Sequence, residues 1–116
     1  MQLLAWESVK NEVVNDKLWR KLATGEKVMV AHLRLFKDCF VPTHKHESEQ
    51  ISMIMEGALK FEMEGREITA RPGDVLVIPS NVPHSALALE DSVAIDVFSP
   101  IRQDWLDGSD AYLRKK

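Results

Sequence analysis

Two stretches of this sequence decide its fold: residues 42–57, which read PTHKHESEQISMIMEG, and residues 73–88, which read GDVLVIPSNVPHSALA. Each stretch combines a short apolar run with one or more histidines, and each contains Gly or Pro where the chain can turn. Short apolar runs bounded by Gly, Pro and Asn are typical of β-strands. Both stretches therefore predict strands separated by turns.

The same strand rhythm extends over most of the chain. Apolar segments of strand length recur at intervals of about 8 to 12 residues, which indicates a sandwich or barrel. They are residues 18–23, 28–36, 50–56, 58–63, 68–71, 75–78 and 92–98. Only residues 102–114 could hold a short helix, although Gly108 weakens that prediction, and residues 7–17 are ambiguous. We therefore predict an all-β fold.

Length and composition indicate one globular domain. With 116 residues the chain can bury one core but not two, so residues 1–116 are predicted to form a single domain. A net charge of -3 and an isoelectric point near 5.8 give no electrostatic reason to expect nucleic acid or an anionic membrane as a partner. The opening MQLLAWESVK does not read as a secretory signal, and no stretch is apolar over the roughly 18 residues of a membrane span.

Cys39 is the single cysteine of the chain, so no internal disulfide can form. A lone thiol favours a reducing compartment, and we expect a cytoplasmic protein. Because Cys39 stands beside Phe40 and Val41, we expect it to pack in the core rather than to act as a reactive thiol.

Three histidines form the first candidate site. His44 and His46 are two positions apart, so in a strand both imidazoles project to one face, where Gln50 also falls by parity if no bulge intervenes. His84 lies in a different segment, and ligands that converge from neighbouring strands are what a metal site on a β scaffold needs. The residues alone leave open that His44 and His46 are solvated loop residues in a charged run. The fourth histidine, His32, is expected to be a packing residue.

A second candidate site lies on the strand predicted at 92–98. Its alternation places Ala94, Asp96 and Phe98 on one face, and an Asp among apolar residues is costly unless it is paired or functional. Arg102 follows closely enough to hold a substrate carboxylate with its bidentate fork. The alternative is that Asp96 faces solvent and pairs with Arg102 on a rim.

The order of these residues resembles the two sequence motifs of the cupin superfamily. The first motif covers 44–57 and the second 73–88. In the first stand His44, His46, Gln50 at the usual acidic position, and Gly57; in the second stand Gly73, Pro79, Asn81 at a usual Gly, His84, and Ala88 at a usual Asn. Asn tolerates the left-handed backbone almost as well as Gly, so the exchange at Asn81 is mild.

The resemblance implies a cupin double-stranded β-helix, which is a jelly-roll barrel. It also implies one divalent transition metal ion, with Ni, Zn, Mn or Fe all compatible, held by His44, His46, Gln50 and His84. Glu49 is the rival of Gln50 for the fourth ligand position. A Gln ligand leaves the full divalent charge on the site, which suits an anionic or polyhydroxy ligand and disfavours the carboxylate-containing triad of O2-activating iron enzymes.

Residues 78–86 and 95–102 are similar to a narrower group, the KdgF-type cupins of pectin and alginate degradation that linearise unsaturated uronates. That similarity implies a metal held by three His and one Gln. It implies that the protein converts a 4,5-unsaturated monouronate to a linear 4-deoxy-5-keto uronate. Asp96 would then shuttle the proton, Arg102 would hold the substrate carboxylate, and Phe98 would shape the pocket wall.

Other functions remain compatible with a cupin sequence. They are a non-catalytic module that binds a sugar acid, a different cupin enzyme such as a dioxygenase or a sugar isomerase, and a structural barrel whose site is empty. Because small cupins are often homodimers, the resemblance also implies a homodimer. Trp6, Trp19 and Trp105 could cover its interface or belong to the core.

Overall fold

Residues 1–114, which the computed structural model describes, form ten β-strands in two antiparallel sheets. The strands are β1 (Glu12–Asn15), β2 (Leu18–Thr24), β3 (Met29–Leu35), β4 (Phe40–His44), β5 (Glu49–Glu56), β6 (Leu59–Met63), β7 (Arg66–Ala70), β8 (Val75–Ile78), β9 (His84–Ala88) and β10 (Ser92–Ser99). One sheet has the order β1-β2-β3-β10-β5-β8, and the other has the order β4-β9-β6-β7. The predicted all-β jelly roll is confirmed.

Four segments differ from the prediction in detail. Strands β4 and β9 were not among the predicted apolar segments, because Pro42, Thr43 and His44 make most of β4 irregular or polar, and β9 begins with His84 and Ser85. The ambiguous N-terminal region contains a short 3-10 helix (Trp6–Ser8) and β1. The predicted C-terminal helix is two helices, α1 (Gln103–Asp107) and α2 (Ala111–Arg114), because Gly108 takes a left-handed conformation with φ of 78° and ends α1.

The core lies between the inward faces of the two sheets. On β10, Ala94, Asp96 and Phe98 are buried whereas Ile95 and Val97 are only half-buried, so the predicted alternation is confirmed from Ala94 to Phe98. Val93 is also buried, because the register of β10 with β5 shifts between Val93 and Ala94. Burying a side chain such as Phe98 contributes about 1.5–3 kcal/mol to folding. Cys39 is 3% exposed and packs within the core cluster, as expected.

Two backbone positions of the motif regions need special conformations. Gly57 has φ of 83°, and a Cβ there would collide with the side chain of Ser92 and the carbonyl oxygen of Asp91. Asn81 has φ of 62°, so it adopts the left-handed backbone that was predicted where the motif usually has Gly.

The C-terminal segment, defined here as residues 101–114, packs on the barrel beside β1 and β4. The Asn15 side chain donates to the carbonyl oxygen of Leu113 at 2.9 Å, and Arg20 donates to Asp110 at 2.7 Å. Trp105 and Leu113 are buried. Among residues 1–114, no helix has the length and apolarity that crossing a membrane requires.

Candidate metal centre

Three histidines converge at one end of the barrel. His44 is the last residue of β4 and is the register partner of His84, the first residue of β9. One ligand atom from each of His44, His46 and His84 lies within 4.8 Å of the others. The alternative that His44 and His46 are solvated loop residues is therefore wrong, since both rings are half-buried and face His84.

The prediction that His44, His46 and Gln50 project from one face of a single strand was wrong. Strand β4 ends at His44, and its pairing with β9 is irregular between Val41 and His44. His46 belongs to the connection before β5, and Gln50 belongs to the other sheet. The side chains still converge because this connection crosses from one sheet to the other at the barrel end.

Backbone carbonyl groups set the tautomer of all three rings. Nδ1 of His44, His46 and His84 lies 2.8 Å from the carbonyl oxygen of Pro42, Ser48 and Val82, respectively. A carbonyl oxygen only accepts, so each Nδ1 carries the proton and each Nε2 presents a lone pair. Such an arrangement orients imidazole ligands in metal sites.

Burial keeps these rings neutral. Together with a smaller contribution from the Arg102 charge, it lowers the pKa of His44 and of His46 to about 4. Burial also lowers the pKa of His84. Neutral imidazole is the form that binds a metal ion, because the bond uses the ring lone pair.

Gln50 completes the cluster with an oxygen atom. Its side-chain nitrogen donates to Ser52 Oγ at 2.9 Å and to Asp96 Oδ2 at 3.1 Å, which directs Oε1 toward His46. Oε1 and His46 Nε2 are 3.1 Å apart. Glu49 is exposed and lies on the opposite face of β5, so Gln50 and not Glu49 reaches the cluster.

These donors fit a divalent transition metal ion. With Nδ1 protonated, the 3.1 Å approach brings two lone pairs together, which is unfavourable unless a cation binds both atoms. Nε2 of His84 is buried and has no hydrogen-bond partner among the described residues. Three imidazole nitrogens and one amide oxygen are suitable ligands for such an ion. His32 lies elsewhere, packed against Trp6 at 5.6 Å, as expected.

A pocket in the barrel interior adjoins the histidines. Its wall includes Asp96, Phe98 and Arg102, the residues of the second candidate site, and also His44, Gln50 and His84. The two sheets also contribute an apolar part of the wall: Leu18, Leu33, Leu35, Val41, Leu59, Phe61, Ala86 and Ala94. His46 borders Phe98, with ring centroids 5.8 Å apart. The two candidate sites of the sequence are thus one site.

Asp96 is a buried carboxylate beside the metal cluster. It is 6% exposed, and Oδ1 has no hydrogen-bond partner within residues 1–114. Burial raises the pKa of Asp96 to about 7, while Ser52 and Arg102 lower it. The alternative of a solvent-facing Asp96 paired with Arg102 is wrong, because Asp96 is buried and Arg102 pairs with Asp104.

Arg102 is held from several sides. Its guanidinium lies over the rings of Phe98 and Trp105, at 5.3 and 4.8 Å from their centroids. Nε and Nη2 donate to the two carboxylate oxygens of Asp104 at 3.1 and 2.9 Å, and Nη2 also donates to the hydroxyl of Tyr112 at 2.7 Å. Nη1 is buried and unpartnered among the described residues. The Arg102 side chain is therefore rigidly placed in the pocket wall.

Sequence reasoning did not assign Tyr112 or Trp105 to this site. Both line the pocket, and Tyr112 stacks on His44 with ring centroids 4.4 Å apart. Trp105 is buried, so the core alternative holds for it. The available signal was two aromatic residues in a C-terminal segment of mixed polar and apolar residues, which does not by itself indicate where they pack.

Comparison with known proteins agrees with this architecture. The family model for the cupin domain matches residues 37–98. The chain is 32% identical over 98 residues to the pectin degradation protein KdgF of Dickeya dadantii, and the match covers 82% of this chain and 89% of that protein.

Two solved structures are similar over most of the chain. The structure of KdgF from Halomonas sp. has a TM-score of 0.84 and 32% identity, and covers 90% of this chain and 99% of its own. An RmlC-like cupin from Shewanella frigidimarina has a TM-score of 0.85 and 24% identity, and the match covers 90% of this chain and 96% of that protein. The second likeness concerns the fold alone.

Proposed function

The chain belongs to the cupin family as a KdgF-like cupin, and from this we propose a metal-dependent enzyme that linearises 4,5-unsaturated monouronates from pectin or alginate breakdown. One observation carries the proposal. His84 Nε2, Asp96 Oδ1 and Arg102 Nη1 line one pocket, and all three are buried without a partner in the part of the chain that the structure describes. A lone-pair nitrogen, a carboxylate oxygen and a cationic N–H suit a ligand that has both hydroxyl and carboxylate groups.

The reaction is an isomerisation that needs only proton transfers. The hydroxyl at C1 of the substrate loses its proton, the bond from C1 to the ring oxygen breaks, and C1 becomes an aldehyde. The electron pair released to the ring oxygen forms an enolate, which takes a proton at C4 and becomes the ketone at C5. The product is the linear 4-deoxy-5-keto uronate, and atoms and electrons balance without an oxidant or water.

In our proposal, three residues of the pocket have separate roles in this reaction. Asp96 takes and returns the proton, since it is the buried carboxylate with an unpartnered oxygen. Arg102 binds the substrate carboxylate through Nη1, and Phe98 forms the wall on which the guanidinium lies. A general acid–base group contributes about 10² to 10⁴ in rate.

His44, His46, Gln50 and His84 are the residues that would hold the metal ion. When bound, the ion supplies Lewis-acid polarisation of a substrate oxygen. With a Gln amide in place of a carboxylate, the protein ligands do not neutralise the ion. This favours an anionic substrate and weighs against the dioxygenase alternative. We place the activity in the cytoplasm, where the thiol of Cys39 stays reduced.

The test is turnover of an unsaturated galacturonate prepared with a pectate lyase. We expect the metal-loaded protein to accelerate the loss of ultraviolet absorbance of the ring double bond over a protein-free control. Chelation and His84→Ala should abolish the acceleration, whereas Glu49→Ala, at an exposed neighbour of Gln50, should retain it. A metal-loaded protein that binds the uronate without converting it would favour the binding-module alternative. Oxygen consumption would favour a dioxygenase.

We also propose that two copies associate through the outward face of the six-stranded sheet. Val30, Val97, Ile51 and Val77 are successive register partners across β3, β10, β5 and β8. A parallel row contains Ile95, Met53 and Val75. An apolar sheet face of this kind matches an identical face on a second copy, which would remove both from water.

A further inference from the structure

Arg102 has fewer free donors than its sequence position suggested. A guanidinium carries five N–H groups, and here one on Nε and two on Nη2 are used by Asp104 and Tyr112. The two that remain are both on Nη1, which is buried and unpartnered within residues 1–114. The expected bidentate fork is therefore already occupied on the Nε side, and Arg102 alone offers a carboxylate a single nitrogen.

Tyr112 supplies a second donor beside it. Its hydroxyl oxygen accepts from Arg102 Nη2 at 2.7 Å and from Trp105 Nε1 at 3.2 Å. Guanidinium and indole N–H groups only donate, so the direction of both bonds is settled. The phenolic proton of Tyr112 is used in neither bond. A phenol keeps its proton at neutral pH, so this donor is available.

We propose that the hydroxyl of Tyr112 and Nη1 of Arg102 together bind the carboxylate of the substrate, each donating to it. This inference rests on the proposed function, because it names the group of the uronate that these atoms bind. Both residues line the pocket that contains Asp96 and the three histidines. Charge-assisted hydrogen bonds from two fixed donors give orientation as well as affinity.

Contacts around Tyr112 hold the pair in place before any ligand binds. The Tyr112 ring is stacked on His44 with an interplanar angle of 21°. Trp105 contacts two arginines, with its ring centroid 4.6 Å from the guanidinium carbon of Arg20 and 4.8 Å from that of Arg102. Arg20 in turn donates to Asp110 at 2.7 Å, which anchors the C-terminal segment. A preorganised pair of donors loses little conformational entropy on binding.

The arrangement predicts discrimination by charge at one group of the ligand. A carboxylate accepts a hydrogen bond from both donors. A methyl ester carries no charge, so it leaves the Tyr112 hydroxyl and Arg102 Nη1 poorly satisfied in a buried site. The chemical class of the ligand is therefore a free sugar acid rather than its ester. Removing the Tyr112 hydroxyl should reduce affinity for the acid and leave affinity for the ester nearly unchanged.

Calorimetric binding of galacturonate and of its methyl ester to metal-loaded protein tests this inference. We expect Tyr112→Phe, which keeps the ring that stacks on His44, to weaken galacturonate binding about 10- to 100-fold. The ester should change less than about 2-fold. The matched control is Thr69→Val, which removes a hydroxyl from β7 outside the pocket and should change neither constant.

An equal loss of affinity for galacturonate and for its ester would overturn the inference, because Tyr112 would then shape the pocket without recognising the carboxylate. Unchanged binding of galacturonate in Tyr112→Phe, or no binding in the unsubstituted protein, would overturn it as well. If the ester does not bind measurably, the affinity for galacturonate is the deciding measurement. A loss of about 10-fold or more in Tyr112→Phe would support the inference, and a loss of less than about 2-fold would contradict it. Acid-selective binding without turnover of the unsaturated uronate would instead refute the proposed function and leave this carboxylate site standing.

Discussion

The guanidinium of Arg20 donates to the carboxylate of Asp110 at 2.7 Å, and neither side chain is exposed to solvent. The pair joins β2 to the C-terminal segment, which carries Trp105 and Tyr112 into the pocket wall. Glu12 on β1 pairs with Arg20 and also with Arg114 of the segment, so two strands of the sheet hold this segment. The ligand pocket therefore depends on a buried ionic contact outside it.

Asp110→Ala should destabilise the protein by about 3 kcal/mol, because it removes the fully buried partner of Arg20 and leaves only the partly exposed Glu12 to pair with that buried charge. Urea denaturation gives the free energy of unfolding. Glu62→Ala, at an exposed position on β6, is the matched control and should change stability by less than about 0.5 kcal/mol. Similar values for both variants would show that the buried pair does not hold the segment.

Gln50→Ala should lower metal affinity by at least about 10-fold, since it removes the oxygen atom that lies 3.1 Å from His46 Nε2. Competition with a chelator, followed by elemental analysis of the protein, measures the change. Glu49→Ala alters the adjacent exposed residue and should keep the metal. Loss of metal from the Glu49 variant instead would reassign the fourth ligand.

Asp96→Asn should reduce turnover of the unsaturated uronate by about 10² to 10⁴, because an amide cannot take up and release the proton. The metal content should stay at the level of the unsubstituted protein. Initial rates from the ultraviolet assay, with elemental analysis in parallel, provide both values. Asp16→Asn, at an exposed turn, is expected to be fully active. Full activity of Asp96→Asn would remove Asp96 from the proposed proton transfer.

Cys39 should resist alkylation in the folded protein. The thiol is 3% exposed, and burial raises its pKa to about 11, so the reactive thiolate is scarce at neutral pH. Mass spectrometry after iodoacetamide treatment should find the native protein unmodified and the urea-unfolded protein fully labelled. Because Cys39 is the single cysteine, the count is unambiguous. Equally fast labelling in both states would contradict the packing described for this residue.

Val77→Glu should convert the proposed dimer to a monomer, because it places a charge on the apolar face of the six-stranded sheet. Val77 is 52% exposed within one chain, so the substitution costs little in folding. Sedimentation velocity measures the mass. Ile68→Glu, at a 49% exposed position on edge strand β7 of the other sheet, is the matched control and should leave the dimer intact. A monomeric unsubstituted protein would refute the dimer.

Much of the fold was predictable because strand structure is local. The two-residue alternation of β10 placed Asp96 and Phe98 on one face, and the conformation of Asn81 followed from its position in the motif. The same local rule failed at His44 and His46, because the strand ends between them. Parity applies only while a strand continues, and the sequence does not mark that end.

The sequence by itself determined the all-β architecture, the family, and the set of residues predicted for the metal and the reaction. It did so because side-chain periodicity and motif spacing are properties of neighbouring positions. Tertiary structure alone decided that Gln50 donates to Asp96, that the C-terminal segment reaches the pocket wall, and that Tyr112 stacks on His44. These features arise from contacts between distant parts of the chain, such as the pair Arg20 and Asp110, which are 90 positions apart. No local pattern encodes which distant residues meet, because that depends on how the two sheets and the C-terminal segment pack together.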